Sequence, residues 1–483
     1  MPNPTMMQYF EWEMPSQHDH WQRLSQDVDH LKAMGISHLW LPPASKAVAS
    51  QDVGYGIYDP YDLGEFPQKG GIPTKYGSKV DYQTAIKHLK AAGIKPLADW
   101  VLNHRAGADQ TETFPAYPVD PFDRQHKLGA PRQLEGWTKF TFPGRGTKYS
   151  DFKWDWTCFS GVDYDQARDE TGIFMIKGFK KGWAHGDYVA PENGNYDYLM
   201  FADVDYSNDR VADEVIAWAK WMIQETGIQG CRLDAIKHVD SRFIYRLLKE
   251  IYQDYPEFYV VGEYWENDTP ALLHYLEQTD QQLQLFDVVL HFNFHQAAVQ
   301  GADYDLRELF SGSLVVTHPD AAVTFVDNHD SQPGQALESW VGESFKAQAY
   351  ALILLQAQGL PCLFYGDYYG IAAGEDYQGM AKILDKLLSL RRHHAYGEEI
   401  QYFDAPHCIG LTRQGDIDHP GGLALLVSNA GAQEKRMSVG PSHAGEYWVD
   451  CLSNQAPVQI DDQGYGIFTC SHTGLSVWLP KKD

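Results

Sequence analysis

The sequence predicts an α/β protein built on a closed parallel (β/α)8 barrel, with a β-rich insertion after the third strand and an all-β sandwich domain at the C-terminus. Three observations predict it. Short β-rich runs alternate with amphipathic helical stretches between residues 5 and 395, residues 105–206 break that rhythm without helical periodicity, and the tail turns to strand-like alternation. Eight strand–helix units favour a closed barrel over an open doubly wound sheet. No GxGxxG or Walker pattern opens any of the helices, which weakens a nucleotide-binding alternative.

The first strand is expected over Thr5–Trp12. Trp21, Leu24, Val28, Leu31 and Met34 then recur at three- and four-residue spacing, the buried stripe of a helix that Gly35 ends. Ile36–Leu41 reads as strand two, and a helix near Tyr82–Ala92 stops at Gly93 before strand three, Ile94–Leu102. Later strands are expected at Ile228–Asp234, Phe258–Glu263, Phe286–Phe292, Ala322–Val326 and Leu360–Tyr365. Helical stripes run through Val211, Val215, Trp218 and Met222, and through Ile244, Leu247, Leu248 and Ile251. A stretch of 105–206 is too long for a structureless loop and is expected to be a subdomain. After the last barrel helix, about Ala381–His394, segments such as Gly422–Ser428 and Gly474–Leu479 carry strand patterning. The expected division is 1–104 with 207–397 for the barrel, 105–206 for the insertion and 398–483 for the sandwich.

Charge narrows the partners. The chain has 65 acidic against 39 basic residues and a formal net charge of -26, which disfavours nucleic acid and anionic membranes and suits a neutral substrate. Aromatics make up 13%, with 14 Trp and 29 Tyr; they serve large cores and would equally furnish sugar-stacking platforms. No run approaches the ~18 apolar residues of a membrane span. No secretory signal is visible, so a cytoplasmic protein is expected, although a secreted form with its signal removed would read the same. The six cysteines, at 158, 231, 362, 408, 451 and 470, are scattered without a CxxC pair and are expected as free thiols.

Enzymes on such barrels work at the C-terminal ends of the strands. Strand three ends in Asp99-Trp-Val-Leu-Asn103-His104 and strand four in Arg232-Leu-Asp234-Ala-Ile-Lys237-His238. Strand five ends in Gly262-Glu263-Tyr264-Trp265 and strand seven in Val326-Asp-Asn-His329-Asp330. A single Asp at a strand end is usually a helix cap or an ion-pair partner. Four such ends at one mouth are different, because gathering carboxylates costs free energy through mutual repulsion and burial, and is tolerated mainly for chemistry.

These four segments, in this order, resemble the signature regions of the α-amylase family of glycoside hydrolases. The flanking runs Gln8-Tyr-Phe-Glu-Trp12, Gly54-Tyr55-Gly-Ile-Tyr58-Asp, Asn193-Gly-Asn-Tyr-Asp197-Tyr-Leu-Met and Phe364-Tyr-Gly-Asp367 look like those of the liquefying bacterial members. The resemblance covers nearly the whole chain and implies endo-hydrolysis of α-1,4 bonds in starch, glycogen or maltodextrins with retention. It makes Asp234 the nucleophile, Glu263 the general acid/base and Asp330 a transition-state stabiliser. A retaining cleavage needs one carboxylate to attack the anomeric carbon and a protonated partner about 5 Å away to protonate the leaving oxygen. Arg232, two residues from Asp234 along a strand, shares its face and is expected to keep it ionised. The resemblance further assigns Tyr55, Asp99, His104, Arg232, Lys237, His238, Trp265 and His329 to substrate binding, with Lys237 and His238 on the leaving side. For Trp265, as for Trp12, a sugar platform and plain packing weigh equally.

The resemblance also implies calcium. Asn103, Asp197 and Asp203, with the backbone carbonyl of His238, match the family's principal Ca²⁺ site, an oxygen-only set suited to that hard ion. Relatives often add further ions through aspartates for which this chain has Ser160, Gly186 and Ser207, although Asp187 or Asp205 could restore part of that cluster. At a second place, between barrel and tail, His407 and Asn429 replace aspartates. One principal Ca²⁺ is therefore expected. Two other functions compete with hydrolysis. They are an α-1,4-glucan transglycosylase sharing the same carboxylates, and a non-catalytic glucan-binding or partner subunit, which the presence of all three carboxylates disfavours.

Overall fold

The computed structural model describes residues 3–372, 377–453 and 455–481. Eight strands close into a parallel barrel: β1 Met6–Gln8, β2 His38–Trp40, β3 Lys95–Trp100, β4 Gly230–Leu233, β5 Tyr259–Gly262, β6 Gln284–Phe286, β7 Ala322–Phe325 and β8 Leu360–Phe364. Each pairs with its successor, and β8 closes on β1. The long outer helices are α1 His20–Met34, α2 Lys79–Ala92, α3 Asp209–Thr226, α4 Ser241–Asp254, α5 Thr269–Gln278, α6 Val288–Gln300, α7 Glu343–Leu355 and α8 Ala381–His393. The α1 stripe of Trp21, Leu24, Val28, Leu31 and Met34 is buried, and Gly35 ends the helix in the left-handed region at φ 88.

The sixth strand lies earlier than the sequence suggests. The strand is Gln284–Phe286, and Val288–Phe292, expected as strand, belongs to α6. Asp287 makes the switch: its carboxylate caps the helix by accepting from Leu290 N at 3.1 Å, and also accepts from Leu314 N and Val315 N. Val288, Val289, Leu290 and His291 are all buried, so this helix starts without the polar–apolar alternation that identifies one.

Between β3 and α3 the chain forms a six-stranded antiparallel sheet. Its order is His104–Arg105, Ala202–Val204, Phe159–Asp165, Glu170–Ile176, Gln110–Val119 and Arg132–Lys139. The first and last strands in sequence lie side by side, with Asp203 paired to His104. The insertion thus leaves and re-enters the barrel at one point, bringing its returning aspartates against the end of β3.

The tail forms a six-stranded sheet facing a two-stranded one, Gln433–Ser438 with Tyr465–Cys470. Strand Leu423–Ser428 is buried on both faces. Leu423, Leu425 and Val427 join the barrel's core, while Ala424 and Leu426 join a second core around Trp448, Phe468 and Trp478. Period-two alternation along one strand therefore serves two cores.

Candidate active site

β4 sets the geometry. Arg232 pairs with Asp99 of β3 in register, and beyond the strand ends Asp234 N bonds Trp100 O and Glu263 N bonds Leu233 O. The ladder thus runs one residue past the strands and aims Asp234 and Glu263 into the same mouth. Gly262 permits this approach, since a Cβ there would collide with Ile236. Ala235, directly after Asp234, takes the left-handed conformation at φ 47, which costs a non-glycine residue roughly 1 kcal/mol or more. That turn lets Ala235 N donate to Glu263 Oε2 at 3.0 Å.

One guanidinium binds the acids together. Arg232 Nη1 donates to Asp99 at 2.8 and 3.0 Å and to Asp234 Oδ1 at 2.7 Å, while Nη2 donates to Glu263 Oε2 at 2.5 Å. Trp40 lies against the guanidinium face, 4.9 Å from ring centre to carbon. Arg232 and Asp99 expose none of their side chains, whereas Asp234, Glu263 and Asp330 keep 10, 7 and 22%. The three acids are reachable from the mouth and the arginine is not. Burial pushes Asp234 well above the usual carboxylate range, Arg232 opposes it, and Glu263, Asp99 and Asp330 add to the rise. The expectation that Arg232 keeps Asp234 ionised is thus opposed by burial and by the neighbouring acids. Asp330 is pushed up to about 8 by burial and by Glu263, against Arg232.

Asp99 is consumed from below, accepting from Trp40 Nε1 at 3.0 Å and Tyr55 OH at 2.9 Å besides Arg232. The Tyr55 ring stacks on His329 at 5.1 Å and 12°, and Trp12 stacks on Tyr55 at 5.7 Å and 4°. Burial holds His329 well below the usual imidazole range. With Gln8 Nε2 donating to its Nδ1 at 2.9 Å, its Nε2 carries the hydrogen and lies 3.2 Å from Asp330 Oδ2. Trp265, half-buried, packs near His291, Phe292 and Phe325.

On the insertion side, Lys237 is held by Glu192 at 2.8 and 3.0 Å and faces Glu266 at 3.5 Å. The hydrogen bond between the two carboxyl groups, with burial, pushes Glu266 up to about 7. Sequence reasoning missed Glu192, Glu266, Gln8 and Trp40. Glu266 stands three residues after Glu263 and Glu192 borders the Asn193–Met200 run, so both lay beside motifs already singled out.

Asn103 Nδ2 lies 3.1–3.2 Å from Asp197 O, Asp203 Oδ1 and His238 O. Burial lowers His104 to about 4, so its ring is neutral at ordinary pH. Its Nε2 donates to Tyr55 O at 2.8 Å, leaving the Nδ1 lone pair 3.3 Å from Asn103 Oδ1. His238 Nδ1 donates to Tyr196 O at 2.7 Å. Asp203 also takes the Ser160 hydroxyl. Asp205 is engaged by Lys181 at 2.5 Å, and Asp187 is exposed beside His185. Among the described residues, no group of three or more His, Cys, Asp or Glu gathers into a metal cage.

Residues 9–401 match the family model described as alpha amylase, catalytic domain. An alpha-amylase of Geobacillus stearothermophilus is 45% identical, spanning 99% of this chain and 87% of that protein. A cytoplasmic alpha-amylase of Escherichia coli K12 is 40% identical, spanning 99% of each. The solved alpha-amylase of Geobacillus thermoleovorans complexed with acarbose superposes with a TM-score of 0.65 over 100% of this chain and 98% of that one, at 18% identity, a likeness of fold.

Proposed function

Because the chain belongs to the α-amylase family, glycoside hydrolases that cut α-1,4-linked glucans internally, we propose that Asp234 is its nucleophile, Glu263 its general acid/base and Asp330 the carboxylate that steadies the transition state. The observation that carries this is the single Arg232 guanidinium bonded to both Asp234 and Glu263 at the end of adjacent strands. As Asp234 Oδ attacks the anomeric carbon, the glycosidic C–O bond breaks and the Glu263 proton passes to the leaving oxygen. Glu263, now ionised, takes a proton from water, whose oxygen displaces Asp234 and restores the starting configuration. Tyr55 and His329 present a stacked face to the sugar undergoing cleavage. Lys237 and His238 serve the leaving side, and Trp265 borders it. His104 supports the mouth through Tyr55 O, and Asp99 acts from beneath by fixing Arg232 and Tyr55.

The substrate is an α-glucan chain of starch, glycogen or maltodextrin, which a surface of net charge -26 does not repel. We assign the domains as 1–104 with 207–397, 105–206 and 398–483, in keeping with the barrel, the inserted sheet and the two tail sheets. We place the protein in the cytoplasm. All six cysteines are free, and the Escherichia coli relative is named for that compartment.

Members of the family generally bind calcium, and the residues around Asn103 fit one ion. Neutral His104 presents a lone pair to Asn103 Oδ1, an acceptor facing an acceptor. Exchanging the two ends of the amide cures that contact but turns an oxygen toward Asp197 O, Asp203 Oδ1 and His238 O, and converging oxygens call for a cation. Asn103, Asp197, Asp203 and the His238 carbonyl would hold Ca²⁺, which when bound supplies a charge that pins the insertion to the barrel.

The test is to replace Asp234→Asn and Glu263→Gln and assay soluble starch. Each should lose several orders of magnitude in kcat with an unchanged circular-dichroism spectrum, as removal of a reacting group does. Near-normal turnover in either would defeat the assignment. With native protein and a long maltooligosaccharide, the fresh reducing end should be the α-anomer. Products longer than the substrate, if dominant, would move the reading to glycosyl transfer.

A further inference from the structure

Behind the end of β7 lies a group of buried charges that the reaction above does not use. Lys346 of α7 exposes none of its side chain, and neither do Asp327 and Asp367 on either side of it. Its ammonium is 2.8 Å from Asp327 Oδ2 and 2.6 Å from Asp367 Oδ1. Tyr350 and Tyr377 donate their hydroxyls to Asp367 at 2.6 and 2.9 Å, and the Trp340 ring covers the ammonium. Taking ionisable groups out of water is costly, several kcal/mol for each that stays charged, and apolar side chains of the same volume often fill such a place at no loss of stability. The cluster is better explained by what it fixes than by what it stabilises.

What it fixes is a turn. Asp327 Oδ1 accepts from Ser331 Oγ at 2.8 Å, and Ser331 Oγ in turn accepts from Asn328 N at 2.9 Å. Asn328 Oδ1 accepts from Asp330 N at 2.9 Å and Ser331 N at 2.8 Å. Val341 N closes on Asp327 at 3.3 Å. Residues 327–331 are therefore tied across both ends, with His329 and Asp330 held in the loop between, and the anchor of the tie is the ammonium of a neighbouring helix.

We propose that Asp327, Ser331 and Lys346 are positioning residues for Asp330, setting its carboxylate against the sugar without touching it. This rests on the reading of Asp330 as a working carboxylate. A displacement of about 1 Å at a reacting group can cost on the order of a hundredfold in rate, so loosening the turn acts on turnover more than on binding.

The experiment is a double-mutant cycle with kcat and KM read on one maltooligosaccharide. Ser331→Ala deletes the hydroxyl and its contacts to Asp327 and Asn328 and should lower kcat about ten- to a hundredfold with KM within about twofold. Ser331→Thr keeps the hydroxyl and should recover most of that loss. In the Asp330→Asn background, Ser331→Ala should add less than about a twofold loss, because its path runs through Asp330. Asp327→Asn, which preserves the volume and leaves the Lys346–Asp367 pair intact, should behave the same way and serves if Ser331→Ala does not fold. A full multiplicative loss in the Asp330→Asn background would make the cluster merely structural and overturn the proposal. If Asp330→Asn alone keeps near-native turnover, the reading of Asp330 fails instead.

Discussion

One guanidinium, bonded to Asp99, Asp234 and Glu263, brings the charges of the mouth into contact. The general-acid role proposed for Glu263 puts a proton on it, and a protonated Glu263 would no longer repel Asp234 and Asp330. The sign is fixed for Asp330: burial raises it first and Glu263 raises it further, to about 8. Glu263→Gln removes that second cause, so Asp330 should titrate below about 8 in the variant. Carboxyl NMR, with Glu263→Gln compared against the double variant Glu263→Gln/Asp330→Asn to assign the signal, measures this; an unchanged midpoint would show that the two do not interact. The residues of the mouth were legible because strand ends direct side chains into a barrel's mouth, and Asp234, Glu263 and Asp330 occupy three such ends. Their partners were not. Glu192 reaches Lys237 only after a hundred-residue excursion folds back on β3, and Gln8 meets His329 only when the barrel closes. No local pattern encodes either pairing.

At the level of elements, sequence periodicity was reliable where a helix has a wet face and failed where it has none. The stripes of α1, α3 and α4 were visible because polar residues alternate with them, and the glycines after α1 and α2 marked their ends. The start of α6 lies under neighbouring elements, so Val288-Val-Leu-His291 reads as strand until the Asp287 cap is seen. Asp287 serves two elements at once, capping α6 and receiving Leu314 N and Val315 N of the next short helix. Burial raises its carboxyl to about 6, opposed by those three amides. The folded value thus lies above the ~3.9 of an unfolded aspartate. The contribution of Asp287 is fully present below pH ~4 and declines as pH rises through about 6. Asp287→Ala leaves three buried N–H groups unpaired, each worth roughly 1–3 kcal/mol, and should destabilise the protein at both pH 4 and pH 7. The loss should be larger at pH 4, by as much as ~3 kcal/mol at 1.36 kcal/mol per pKa unit. Urea unfolding at the two pH values checks it, and a larger loss at pH 7 would contradict the sign.

At the level of the whole molecule, the barrel meets its two additions by different means. The tail docks through hydrogen bonds and apolar burial. Asn429 Nδ2 donates to Gly301 O at 2.8 Å and Tyr304 O at 2.7 Å, and Leu423, Leu425 and Val427 bury directly against the barrel's core. The Oδ1 of that amide is buried without a hydrogen-bond partner, so these two bonds account for only one of its ends. The insertion is different. Burial pushes Asp197 up to about 7 and holds Asp203 well above the usual carboxylate range, Asp240 and Asp205 adding repulsion at Asp197, and Asp197 adding it at Asp203. Lys181 pairs with Asp205 and Arg242 with Asp240. A divalent cation at Asn103 would remove that repulsion and tie Asp197 and Asp203 to the His238 carbonyl of the barrel. Native protein dialysed against metal-free buffer should therefore retain about one Ca²⁺ per chain, a single hard-ion site of this ligand set. Anomalous diffraction should place it beside Asn103. Chelation should lower the thermal midpoint and expose residues 105–206 to protease before the tail, since binding to the folded state alone stabilises it by mass action. Two or more stoichiometric ions in the insertion would refute the single site, and an empty Asn103 site in calcium-containing buffer would remove the metal from this account altogether. A tail cleaved as early as the insertion would mean that the ion stabilises the whole chain rather than the junction of insertion and barrel.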